Sequence, residues 1–405
     1  MSLKVDVVIV GAGASGIFAA INLAKNDPNL SVVIIEKSTK ALSKVKISGG
    51  GRCNVTHACF DPKELIKFYP RGSKELLSAF YQFQPGDIIE WFEQRNVNLK
   101  IEEDGRMFPT TDNSQTIINC FFNQIESCNI EIHYQTSLQK IQPKKGGFIV
   151  HTNAKECECK QLLVASGGIN KLEQANVLTE LGHQIINPAP SLFTFNIPNN
   201  NITQLQGVVC EAEVKINDSK FIEDGPLLIT HWGMSGPVIL KLSSWGARYL
   251  QEKKYQFSFE VNWLPSHTTA SLIDYLTTIK NNEGSKKIIN QLNVDIPKKL
   301  KYYLIEKANI DSNLRWADIN KSQLSNLANN LTKDIYHANG KTTFKQEFVS
   351  CGGIKLNEVN FKTMESKIVP NLYFSGEVLD IDALTGGFNF QAAWTTAWIA
   401  AKNMG

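Results

Sequence analysis

The chain has 405 residues, more than one hydrophobic core ordinarily organises, so its length predicts two or three domains. Hydrophobic residues make up 42% and charged residues 20%, a balance that excludes a disordered chain. The 42 basic and 39 acidic side chains leave a net charge of +3, too small to demand or exclude a polyanionic partner.

The first apolar run, Val5–Val10, is too short to span a bilayer, and Gly11-Ala12-Gly13 interrupts it. It lacks the charged leader and cleavage site of a signal peptide, and no later run approaches the length of a membrane helix. No membrane association is therefore expected, and the expected location is the cytoplasm. Eight cysteines, at 53, 59, 120, 128, 157, 159, 210 and 351, read as reduced thiols. Cys157 and Cys159 share one face of an alternating stretch, but no second pair completes a zinc site, so no metal is expected.

Lys4–Val10 reads as a buried parallel strand. It runs into Gly11-Ala12-Gly13-Ala14-Ser15-Gly16, a helical pattern follows, and a second apolar strand, Ser31–Ile35, ends at Glu36. In this arrangement Gly11 makes the tight turn, Gly13 admits a pyrophosphate to the backbone, and Gly16 lets the helix pack on the strand. The helix N-terminus presents free N–H groups to the anion, while Glu36 is placed to accept from ribose hydroxyls. The acid also argues against a 2′-phosphate. These residues leave NAD and FAD open.

Ser48–Asn54 reads SGGGRCN. Three glycines clear side chains from a surface where a flat ring or a pyrophosphate can lie close. Cys53, beside Arg52, is a candidate nucleophile or proton donor. The reading preferred on the residues is a small side chain lining the cofactor, since no resolving cysteine or neighbouring histidine accompanies it. Arg106, in DGRMFP, is a second candidate, for an anionic substrate or reduced flavin, with a structural ion pair as the equal alternative. Gln161–Gly168 reads as a third strand, which leaves the sheet at Ala165, Ser166 and Gly167.

Beyond Pro188 the texture changes. The stretches 191–197, 208–216 and 255–264 alternate like antiparallel strands, which predicts a small barrel. His231 lies in a turn before a helix capped by Ser235 or Gly236, and is a weaker acid–base candidate. Residues 266–340 carry short amphipathic helical patterns. The remaining histidines, His57 among them, are scattered without ligand spacing.

At the C-terminus, strand 372–375 leads into Gly376-Glu377, then Asp380, Gly386-Gly387 and a helix that includes Gln391. A second glycine-rich turn opening a helix, far from the first, favours FAD over NAD. The chain's blocks KISGGGRCN, GRMFP, THWGMSGP, CGGIKL, TMESK and LYFSGEVLDIDALTGGFNFQAAW, in that order, resemble the BaiN-type family of NAD(P)/FAD-dependent oxidoreductases, also described as aminoacetone-oxidase-like flavoproteins. In this sequence Ser166 stands where the family usually has threonine, and the following loop is short.

The resemblance implies an α/β fold: a Rossmann-like FAD-binding domain with an inserted β-barrel and a small helical subdomain. The expected boundaries are 1–189 with 345–405, then 190–265, then 266–344. It carries FAD contacts onto Gly11, Gly13, Ala14, Gly16, Glu36, Lys37, Gly50, Gly51, Arg52, Cys53, Asn54, Gly376, Glu377, Gly387, Asn389 and Gln391, with Lys44 and Asp380 beside them. The flanking motifs add Ala12, Ser15, Gly49, Ala165, Ser166, Gly167, Gly386 and Phe390.

The expected activity is hydride transfer between a reduced nicotinamide, visiting transiently, and a small organic substrate held between cofactor domain and insert. The alternatives are an oxygen-using amine or hydroxy-acid oxidase, a reductase of a nucleic-acid base or an enone, and a flavin-containing binding module. RNA remains open as a partner, and no oligomeric state is assigned.

Overall fold

The computed structural model describes residues 3–342 and 349–405. The chain divides into two compact units, Met1–Ala189 with Lys345–Gly405, and Pro190–Phe344. The expected boundary at 344–345 lies outside the described residues.

In the first unit, Leu3–Val10 is flanked by Val32–Ile35 and Glu156–Val164, both parallel to it. Glu131–His133 extends the sheet beyond Val32–Ile35, and Leu372–Phe374 extends it beyond Glu156–Val164, again in parallel. Strands covered on both faces must be apolar throughout rather than alternating. Val7, Val8 and Ile9 are fully buried, as the uninterrupted run predicts. Glu365–Ser366 and Val359–Asn360 continue the order with antiparallel pairing, and a hairpin, Leu138–Lys144 with Gly147–Thr152, joins the outer part of Glu156–Val164.

Helix Ala14–Asn26 packs on the C-terminal helix Phe388–Asn403, with Phe18 and Trp394 ring centroids 5.4 Å apart. Both helices are buried on nearly every face, which explains their weak amphipathic patterning.

In the second unit the sheet order is Asp334–Asn339, Gln256–Asn262, Val209–Ile216, Ile222–Thr230, Gly233–Ser235, Thr194–Asn196 and Lys341–Thr342. The two end strands are successive parts of one stretch, separated only by Gly340. The sheet therefore closes on itself, one part pairing with Gln256–Asn262 and the other with Thr194–Asn196. Gly236 precedes helix Pro237–Trp245, whose Val238, Ile239 and Leu242 are fully buried.

Helices Thr269–Asn282, Lys298–Lys307 and Lys321–Thr332 follow, and their buried leucines join Phe259 and Val261 of the sheet in a single hydrophobic cluster. The helical reading of 266–344 needs one correction. Asp334–Asn339 is a strand, because Asp334, Tyr336 and Ala338 are buried at a period of two.

A buried polar knot secures the first unit near Leu372–Phe374. His183 is 2% exposed, with Nδ1 2.9 Å from Glu358 Oε2 and Nε2 3.0 Å from Ser366 Oγ. Ser366 Oγ also accepts from the N–H groups of Ile368 and Val369, so its own proton is the one available to Nε2. That pattern suits a neutral ring. Burial holds the His183 pKa below its ordinary value, against the opposing pull of Glu358.

The unfolded chain therefore binds this proton more readily. The knot's contribution is complete above a pH of about 6.5 and is lost as pH falls through the lowered folded value. The melting temperature is expected to fall between pH 7 and pH 5, and to fall less steeply in His183→Gln. Equal slopes in the two proteins would remove His183 from the account.

Candidate functional site

The carboxyl ends of the parallel strands converge through backbone hydrogen bonds. Gly11 N–H donates to Ile35 O (2.8 Å), Ala165 N–H to Val10 O (2.9 Å), and Ser375 N–H to Val164 O (3.1 Å). This is the edge where open parallel sheets hold ligands. Two glycines there are packing requirements. A Cβ on Gly11, whose φ is +107°, would lie 2.5 Å from Ala165 O, and a Cβ on Gly16 would lie 2.0 Å from Gly11 O.

Gly13 is different. Its φ is −83°, an ordinary value, and a Cβ there would meet no protein atom within 4 Å. Neither backbone strain nor packing accounts for its missing side chain. It precedes helix Ala14–Asn26, which has no side-chain cap and no acid in its first turn. The N–H groups at that end, and its positive dipole, are uncompensated. Gly50, Gly51 and Gly167, all at positive φ, likewise face space that no protein atom fills. A dinucleotide with a pyrophosphate fits this cradle: its free donors suit an anion, and its bare backbone suits close approach.

Glu36 frames the first turn. Its Oε2 accepts from Ala12 N–H and its Oε1 from Ser38 N–H, both at 2.8 Å. Lone pairs remain on both oxygens for hydroxyl donors. Lys37 and Ser166 are exposed. Lys44 and Glu377, both expected at the cofactor, form an ion pair with each other at 2.5 Å. Ser15 Oγ hydrogen-bonds Ser375 Oγ, and Thr396 Oγ1 accepts from Gly376 N–H at 3.0 Å. This buried hydroxyl chain joins the first turn of the N-terminal helix to the end of strand Leu372–Phe374 and to the C-terminal helix.

Several side chains expected to reach the cofactor also bond within the protein. Arg52 pairs with Glu102 (2.5 Å) and Asp112 (3.4 Å), and its guanidinium lies 3.8 Å from the Phe108 ring centroid. Gln391 is fully buried, with Oε1 accepting from Thr56 and Nε2 donating to Thr395. Asn389 closes a loop by exchanging hydrogen bonds with the backbone of Ala383, and Asp380 Oδ1 accepts from Gly352 N–H at 2.9 Å. Phe390 is stacked on Trp394, and Gly49 is held against Phe108 and Asn54.

Asn54 orients its amide nitrogen toward the Thr56 and Met107 carbonyls, and its oxygen accepts from Gly387 N–H at 3.0 Å. Gly387 is at a φ of +92°, and Gly386 at +129°. The structure brings these residues together, and their polar groups brace the loops.

The catalytic candidates fare differently. Cys53 is fully buried, and burial pushes its thiol up to about 12, so it holds no thiolate near neutrality. It also adopts a φ of +66°, which makes it a turn residue. Arg106 is paired with Asp104 (2.6 Å) and Glu102 (3.4 Å), the structural alternative. His231 lies in the second unit, exposed in the turn between Ile222–Thr230 and Gly233–Ser235, with its ring edge-on to Trp232.

Sequence reasoning missed His57, which stacks on Phe388 at 4.5 Å, while Phe68 stacks on the same Phe388 ring at 4.2 Å. Burial lowers its pKa, and Nε2 lies 3.0 Å from Asp104 O. No spacing rule signals this ring, because its partners come from three separate segments.

Residues 5–403 match the HI0933-like protein Rossmann domain. The chain is 27% identical to the ribosomal RNA dihydrouridine synthase of Escherichia coli K12, covering 99% of this chain and 98% of that protein. It is 25% identical to the 3-dehydro-bile acid delta(4,6)-reductase of Clostridium scindens, covering 97% of each. Among solved structures, the 3-ketosteroid-delta4-(5alpha)-dehydrogenase of Rhodococcus jostii RHA1 superposes with a TM-score of 0.52 at 10% identity, over 99% of this chain and 96% of that one. That likeness shows a shared fold. No helix among the described residues is long and apolar enough to cross a membrane.

Two glycine substitutions separate cradle from packing. Gly16→Ala is expected to destabilise the protein by about 3 kcal/mol, through backbone collision. Gly13→Ala is expected to leave stability of the cofactor-free protein within about 0.5 kcal/mol yet weaken FAD binding about tenfold or more. Thermal melts and fluorescence titration of FAD read the two effects, and unchanged FAD affinity in Gly13→Ala would remove the cradle. Cys53→Ser is expected to retain flavin and to stay within about twofold of the parent rate, or roughly 0.5 kcal/mol in barrier. A coloured but inactive Cys53→Ser protein would restore the thiol to the chemistry.

Proposed function

This chain belongs to the HI0933-like Rossmann family and is an FAD-dependent oxidoreductase, and from that premise we propose that it reduces a ring carbon–carbon double bond conjugated to a carbonyl, with uridine in ribosomal RNA as its first substrate class. The observation that carries the reading is the pair of full-length relatives with chemically unlike substrates. One is named for making dihydrouridine, the other for reducing a delta(4,6) 3-dehydro bile acid. Dihydrouridine is uridine with hydrogen added across the double bond conjugated to a ring carbonyl, and a 3-oxo delta(4,6) system presents the same electronic arrangement. A flavin supplies the hydride for such an addition when bound.

The chain's own part is positional. Gly13, Gly50, Gly51 and Gly167 leave room for the cofactor against the backbone, and the open end of helix Ala14–Asn26 meets its pyrophosphate charge. Glu36 accepts from its ribose hydroxyls. The bare backbone at Gly50-Gly51 would let the flavin ring lie close, and the Gly386-Gly387 turn would border it, with Gly387 N–H held by Asn54. The electron pair is assigned to a reduced nicotinamide; with Gly11–Gly16 as the single Gly-x-Gly-x-x-Gly unit in the sequence, such a donor would visit the flavin transiently. Hydride adds to the carbon β to the carbonyl, and a proton from solvent completes the saturated product.

The test begins with purified protein carrying FAD, titrated anaerobically with NADH and NADPH. Bleaching of the flavin is expected, followed by recovery of colour on adding ribosomal RNA that lacks dihydrouridine. Mass spectrometry of the RNA should then show one nucleoside gaining two hydrogens. Recovery only with a 3-oxo delta(4,6) steroid acid would move the substrate class to enones. A flavin that no nicotinamide reduces, or that turns over only with an amine and oxygen to give peroxide, would overturn the reading.

A further inference from the structure

The segment Phe68–Gly72 was not marked by any motif, yet it is fastened point by point to the C-terminal glycine loop. Leu384 N–H donates to Phe68 O at 2.9 Å, and Tyr69 Oη donates to Phe388 O at 2.6 Å. Arg71 and Asp382 form an antiparallel backbone bridge, and the Arg71 fork donates through Nε to Asp382 Oδ1 and through Nη2 to Oδ2. The Asp382 carboxylate is fully buried and the Arg71 side chain is 10% exposed. Gly72, at a φ of +84°, passes so close to Ile381 that a Cβ would lie 2.6 Å from its side chain.

These anchors bracket one short stretch. Ile381, Asp382 and Leu384 are held on one side and Phe388 on the other, so Thr385-Gly386-Gly387 is the span between these anchors, with Gly387 N–H also held by Asn54. Both glycines there are at positive φ, and Thr385 is exposed. A buried bidentate ion pair is a poor source of net stability compared with apolar packing, but its planar fork fixes distance and orientation together.

We propose that Arg71, through its bidentate grip on Asp382, is a positioning residue for the flavin: it sets the Gly386-Gly387 turn in the conformation the cofactor binds. The inference rests on the FAD reading above and goes beyond it, since Arg71 itself need not touch the cofactor.

The test measures FAD affinity and stability separately. Arg71→Met with Asp382→Leu removes both charges of this pair together, a replacement compatible with folding. The double variant is expected to melt within a few degrees of the parent in the absence of FAD, yet bind FAD about tenfold more weakly. Its bound flavin should also show a shifted visible spectrum. Arg71→Lys, which keeps the charge but loses the fork, is expected to be weakened by a smaller factor.

An FAD affinity and flavin spectrum equal to the parent's in the double variant would overturn the proposal, whatever the melting temperature. If that variant does not fold, Arg71→Lys decides on the same two readouts, and parental values there overturn it. A parent protein that binds no FAD would instead sink the cofactor reading itself.

Discussion

The candidate site depends on how closely two stretches of backbone can pass at the end of the first strand. Gly16 lies so near the Gly11 carbonyl, and Gly11 so near that of Ala165, that no side chain is tolerated at either position. That approach seats helix Ala14–Asn26 directly on the strand ends and aims its unsatisfied N–H groups along the carboxyl edge of the sheet. With the helix displaced by even one methyl group, the Ser15–Ser375 hydroxyl contact and the packing of Phe18 on Trp394 would have to give.

How legible this was in the sequence differs between backbone and side chains. Leu3–Val10, Ala14–Asn26 and Val32–Ile35 were readable because the apolar run, the glycine spacing and the helical pattern each point to the same local answer. The strand Asp334–Asn339 was not, because a six-residue alternation following three helices is outweighed by its neighbours' pattern. The paired strand Ile222–Thr230 carries Gly225 and Pro226, which dilute its strand signal as well.

At the site, the motif blocks mark the loops, but the hydrogen bonds that brace those loops are not legible in the motifs. Gln391, Asn389, Asp380 and Arg52 stand inside motif blocks, so they look like ligand contacts. In the folded chain each makes a hydrogen bond within the protein, to Thr56, Ala383, Gly352 or Glu102. Loops rich in positive φ have few backbone hydrogen bonds of their own, and side-chain amides and carboxylates supply the missing ones. A polar residue in a glycine loop can thus be required by the cofactor without facing it. These partnerships span from 6 positions for Asn389 and Ala383 to 335 for Gln391 and Thr56, so no single spacing in the sequence reveals them.

The placement of Leu372–Phe374 also bears on how the protein is made. Its partner, Leu162–Val164, leaves the ribosome some two hundred residues earlier, with the whole of Pro190–Phe344 still to come. Until then the nascent sheet carries an unpaired apolar edge, the kind of surface that recruits foreign strands. The second unit, whose strands and helices are contiguous in sequence, can complete its own core during that interval. Ser375 and Gly376, which finish that edge, arrive only after the whole of Pro190–Phe344. The carboxyl edge of the sheet is therefore completed late in synthesis, and a ligand that binds there at that moment would act as a folding aid.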